Sequence, residues 1–108
     1  MKAMDKSVLS KLIAANGYDV QEDKLLEEMA ELAQAIFKMR IASKKLVRNI
    51  CDRCKKDYKN AVEDVVGEMS DVYICLEELK MMLLIDDEEM GERINYKLGV
   101  IKKEVLGE

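Results

Sequence analysis

Four acids, Glu28, Glu31, Glu68 and Asp71, fall as two three-residue spacings inside phrases that nearly repeat: EEMAELAQAI at 27–36 and GEMSDVYICL at 67–76. On a helix each residue advances about 100°, so acids three apart lie about 60° apart on one side. Glu28 falls between Leu32 and Ala35 on the wheel, inside the margin of an apolar face built by Leu25, Met29, Leu32, Ala33 and Ile36, and Glu31 lies just outside it. Glu68 takes the same place between Cys75 and Leu79, with Asp71 just outside, and Glu27 adds a further acid beside Glu31. A carboxylate set into an apolar margin is costly unless something compensates it. Two such pairs facing each other repel until protons or a cation neutralise them. Oxygen-only donors suit Mg²⁺, Mn²⁺ or Ca²⁺ and argue against zinc. The chain has no His, which removes the Glu-x-x-His di-iron pattern, and no acid-rich loop has the EF-hand form. Mg²⁺ keeps several waters and takes substrate phosphates as ligands, so helical carboxylates of this kind point to a site for a phosphorylated small molecule. A single E-x-x-E is ordinarily a solvated helix surface; its repetition at matching wheel positions carries the metal reading.

The elements that must position these acids read as helices. A first is expected over about Asp5 to Ala15, with Val8, Leu9, Leu12 and Ile13 as its stripe and Asn16-Gly17 as its stop. A second begins near Gln21 and runs through Arg40 or beyond. The segment from Ile41 to Lys59 has a thin stripe, chiefly Leu46, Val47 and Ile50, and is expected as one helix or an extension of the second, with a break near Asp57. A long helix from about Lys59 to Leu84 carries the second phrase. Asp86 caps the last helix, with Glu89 placed to close a capping box and the acids suiting the dipole.

Composition and charge bound the class. The 108 residues fit one domain. With aromatics at 5%, no Pro, 5 Gly and 8 Met, the chain favours an all-α fold over a sandwich or barrel. We expect a bundle of about four to five helices whose thin core, and the stripe Ile94, Leu98, Ile101 and Val105, seek a partner copy. The net charge of −4 argues against nucleic-acid binding by the whole molecule, although Lys38 to Lys59 holds nine basic residues and two acids. The opening MKAMDKSVLSKLIAANG lacks a leader's apolar core and MMLLI is too short to span a bilayer, so no membrane is expected and the cytoplasm is the expected address. Three cysteines do not suggest a secreted disulfide framework.

The phrases KLLEEMAELAQAI and VVGEMSDVYICLEEL, with DDEEMGERINYKLGVIKKEV after them, resemble the MazG-like branch of the all-α nucleoside triphosphate pyrophosphohydrolases over roughly Gln21 to Leu106. That family carries an E-E-x-x-E helix followed by an E-x-x-D helix, here Glu27, Glu28 and Glu31, then Glu68 and Asp71. The resemblance implies hydrolysis of a nucleoside triphosphate to the monophosphate and pyrophosphate. It implies Mg²⁺ (or Mn²⁺) held by Glu28, Glu31, Glu68 and Asp71, with catalytic roles for Glu27 and Glu28. Glu27 is the candidate for orienting or deprotonating the attacking water, although any carboxylate of the cluster could serve. Lys97 and Lys24 are the candidates for phosphate contact; where members show an Arg a turn after the Lys97 position, Val100 stands here, with Lys102 or Lys103 as substitutes. The family also implies a homodimer or homotetramer around a four-helix-bundle active site. Glu31 and Glu68 are separated by 36 intervening residues, and the extra length lies in the basic segment, expected as a longer helical arm or a lid over the triphosphate.

Rival readings stay open on the same residues. One is a related phosphohydrolase acting on dUTP or a phosphoribosyl-ATP-type substrate; another is a non-catalytic helical interaction or regulatory protein. Cys51-Asp-Arg-Cys54 has the spacing of a redox pair or half a zinc site shared across a dimer, against incidental helix cysteines. Phe37 or Tyr73 is placed to stack a base, against ordinary core packing.

Overall fold

A computed structural model describes residues 4–108; residues 1–3, part of the stretch read for a leader, lie outside the described residues. Four helices follow in order, with no strand among the described residues: α1 (Lys6–Asn16), α2 (Tyr18–Arg48), α3 (Asp52–Met82) and α4 (Asp87–Glu104). The fold is all-α, as the low aromatic and proline content favours.

Asp5 caps α1 by accepting from the Ser7 backbone N–H at 3.0 Å. A single residue, Gly17, joins α1 to α2. Its φ of 85° lies in the region that favours glycine, and its N–H closes α1 on Ile13 O at 2.8 Å. The helix run breaks at residues 49–51, with Asn49 extended, rather than near Asp57. Asn49 N–H returns to Lys45 O and the Cys51 side chain caps α3, a local satisfaction of orphan groups that outweighs the helical propensity of the flanks.

α2 and α3, each 31 residues and so about 46 Å long, pack along one another as an antiparallel hairpin. Their inward side chains follow a near-heptad rhythm: Gln21, Leu25, Glu28, Leu32, Ala35, Met39, Ala42 and Leu46 on α2, and Cys54, Tyr58, Ala61, Val65, Glu68, Val72, Cys75, Leu79 and Met82 on α3 are buried or half-buried. This seam corrects the wheel read from sequence. Met29, Ala33 and Ile36 are exposed, because α2 turns its acidic margin, not the centre of its apolar stripe, toward α3. α1 folds over the end of the hairpin and buries Leu9.

α4 packs alongside no other helix. It is tied at its start, where Lys80 pairs with Asp87 and Glu77, and Lys6 with Asp87. Asp86 caps it by accepting from the Glu89 N–H at 2.8 Å; the reciprocal Glu89 side-chain bond is not formed. Its stripe of Ile94, Leu98, Ile101 and Val105 is exposed. The radius of gyration, 18.0 Å, exceeds the about 13 Å of a compact domain of this length.

Candidate metal centre

Glu28 and Glu68 occupy seam positions where the rhythm of both helices otherwise places mainly apolar side chains. Because α2 and α3 run antiparallel, the two acidic phrases meet: one carboxylate oxygen from each of Glu28, Glu68 and Asp71 lies within 4.8 Å of the others. Glu28 Oε2 and Glu68 Oε2 are each buried with no hydrogen-bond partner. Burial first, then the charges of Glu31 and Asp71, a hydrogen bond with Glu31, and the Glu68 charge, push the Glu28 carboxyl up to about 6. Burial, followed by Glu31 and Asp71, raises Glu68 as well. Glu31 lines the cleft beside them and its charge raises both seam acids, but it is not among the three carboxylates whose oxygens converge.

The acids open into a cleft of about 560 Å³ between the helices. Glu31, Gln34 and Lys38 line it from α2; Glu63, Asp64, Gly67, Glu68 and Asp71 line it from α3. Five carboxylates face one lysine. Sequence reasoning did not single out Glu63, Asp64 or Gln34 and took Lys38 only as the start of the basic segment, although the signal was present: Asp64 is one turn before Glu68, and Gln34 and Lys38 follow Glu31 by one and two turns on the same side.

The other candidates separate. Glu27 is exposed and lines no part of the cleft. Lys24 is exposed at the neighbouring stretch of seam, where its charge acts on buried Cys75. Lys97 is exposed on α4, which does not reach the acids within one chain. Phe37 and Tyr73 are exposed rather than packed in the core. The basic segment is a helical arm, the far ends of α2 and α3; Lys45 stands about 21 Å along α2 from Glu31.

Beyond the cluster, toward α1, the seam holds a second polar group. Gln21 Nε2 donates to Glu78 Oε2, and Asn16 Nδ2 donates to Gln21 Oε1 at 3.0 Å. Glu78 is 1% exposed and its Oε1 has no partner.

All-oxygen donors, two of them buried and unpartnered, fit a hard divalent cation: the chain has no His, and Cys75, though it lies in the same seam, is not among the converging side chains. No known protein-family model, curated protein sequence or solved structure matches the chain. Among the described residues no helix is long and apolar enough to cross a membrane.

Proposed function

We propose that the protein is a Mg²⁺-dependent nucleoside triphosphate pyrophosphohydrolase, with Mn²⁺ able to replace Mg²⁺. The observation that carries the reading is the convergence of Glu28, Glu68 and Asp71 at a mainly apolar seam, with unpartnered oxygens left on both glutamates. Glu28, Glu68 and Asp71, with Glu31 at the rim, would hold the ion. When bound, it neutralises phosphate charge and lowers the pKa of a coordinated water.

The chain's own residues divide the remaining work. Glu31, beside both seam acids and open to the cleft, is better placed than Glu27 to take a proton from an attacking water. Lys38 is the cation of the cleft wall and the nearest counter-charge for a phosphate. A triphosphate entering beside Glu63, Asp64 and the seam acids is repelled unless a cation mediates, so this cleft suits a metal–nucleotide complex rather than a free nucleotide.

The exposed stripe of α4, together with exposed Met29 and Ile36 on α2 and Met69 and Tyr73 on α3, supports a homodimer or homotetramer. In such an assembly α4 of one copy lies over the hairpin of another, which is also the route by which Lys97 reaches a phosphate. Light scattering at micromolar concentration is expected to give a multiple of 12.4 kDa, and Leu98→Glu to shift it toward the single chain.

The deciding assay screens canonical and modified triphosphates, including dUTP, and phosphoribosyl-ATP, with and without Mg²⁺, reading pyrophosphate against phosphate. Pyrophosphate release by the wild type that is lost in Glu68→Gln and Asp71→Asn supports the reading. Folded protein inactive on every nucleotide, or equally active in both variants, overturns it and leaves the helical interaction protein.

A further inference from the structure

Cys51 and Cys54 lie at the turn between α2 and α3, far from the acid cleft: Cys54 precedes Glu68 by about 21 Å of helix. Cys51 is the N-cap of α3, its backbone extended at φ −116°, and its sulfur accepts the Cys54 backbone N–H at 3.2 Å. Cys54 is the third residue of the helix, so both side chains rise on the same side of the first turn, and the two sulfurs are hydrogen-bonded at 2.9 Å. Both thiols are free and half-buried. The third, Cys75, is 4% exposed in the seam.

We propose that Cys51 and Cys54 form a redox-active dithiol that exchanges with low-molecular-weight disulfides carrying negative charge. Three features of the turn carry this. The sulfurs already face each other, so ring closure needs no movement of either helix. Cys51 sits at the positive end of the α3 dipole with an N–H directed at its sulfur, an arrangement that favours thiolate. The contact with the Cys54 side chain is the largest influence holding the Cys51 thiol below its usual range, and the same contact raises Cys54. The flanks are basic: Arg48 ends α2, Arg53, Lys55 and Lys56 sit in the first turns of α3, and Lys45 lines a hollow of about 210 Å³ that Cys54 also lines.

The exchange balances without a metal, because the low-molecular-weight disulfide is itself the two-electron oxidant. The Cys51 thiolate attacks one sulfur of RS–SR, a protein–SR bond forms, and RS⁻ leaves with the proton lost by Cys51. The Cys54 thiol then loses its proton and attacks Cys51 Sγ, the protein–SR bond breaks, and a second RS⁻ leaves and takes up that proton. The dithiol is oxidised by two electrons and RS–SR is reduced to two RSH.

The test incubates the reduced full chain with glutathione disulfide, folded and in urea, and follows intact mass after thiol alkylation, with circular dichroism reporting that each variant retains its helices. Wild type and Cys75→Ser are expected to end two hydrogens lighter, with Cys51 and Cys54 unalkylated. Cys54→Ser is expected to stop at a stable adduct on Cys51, and Cys51→Ser to react at least about tenfold more slowly. Closure should be favoured at least about tenfold in the folded chain over the urea-unfolded one. Wild type that stops at a mixed disulfide, equal closure in urea, or Cys75 reacting as fast as Cys51 overturns the proposal. Cationic cystamine should react more slowly than glutathione disulfide; an equal or faster rate overturns the preference assigned to the basic flank.

Discussion

Replacing Glu28 by Gln keeps the shape of the seam and removes a charge that the metal-free protein holds at a cost. The folded carboxyl titrates near 6 and the unperturbed one at 4.5. The fold therefore binds a proton more readily than the unfolded chain does. Below pH 4.5 both states are protonated and the seam carries no penalty. As pH rises through 4.5 to 6 the unfolded chain ionises first and stability is lost, and above 6 the full penalty is present. The difference corresponds to about 2 kcal/mol, and solvent in the open cleft screens it to about 1 kcal/mol. Glu28→Gln is thus expected to stabilise the protein by about 1 kcal/mol at pH 7.5 in chelator, or about 4 °C in Tm, with the gain small by pH 4.5 and vanishing below it. Thermal unfolding followed by circular dichroism, at one protein concentration across this pH range, is the assay. A variant less stable than wild type at pH 7.5, or a gap that does not close on acidification, refutes the electrostatic account of the cluster.

Cation affinity should follow the same group: a proton on Glu28 blocks one ligand, so Mn²⁺ binding measured by calorimetry is expected to weaken as pH falls below about 6, with proton release on binding. At the other polar station of the seam, Gln21→Ala strands Glu78 and is expected to cost about 2–3 kcal/mol in urea unfolding, while Gln21→Leu with Glu78→Met is close to neutral. Leu84, exposed at the end of α3 with φ 57° and Ile85 N–H returning to Lys80 O, occupies a helix-stop position that favours glycine. Leu84→Gly is expected to raise stability by about 1 kcal/mol in the same unfolding assay.

The helices were legible because their signals are local. Gly17 and Asp86 are terminators whose chemistry lies within a few residues, and they stand where the sequence places them; Asp5, expected as the first residue of α1, is instead its cap. The types and spacing of Glu28, Glu68 and Asp71 were legible too, but they meet because both phrases lie at similar distances from the turn at 49–51, a level that the antiparallel packing alone decides. The orientation of α2 was not. Its apolar stripe is wide enough that Met29 or Ile36 serves as well as Leu25 or Ala35 in any one-helix reading, and only the heptad match with α3 decides which residues turn inward. The break at Asn49 was displaced because its causes, an extended Asn and a cysteine acting as a cap, are weak signals beside the acids of Asp52 and Asp57. Buried Glu78 looked like any helical glutamate; its partner, Gln21, is 57 residues away.

Titration of the chelator-treated protein with Mn²⁺, followed by the electron paramagnetic resonance of the free ion, tests the joining of the two helices by a cation most directly. Loss of free signal in the wild type, abolished in Glu68→Gln and in Glu28→Gln, is the expected result. Mn²⁺ that stays free at millimolar concentration, or binds both variants as well as the wild type, contradicts it.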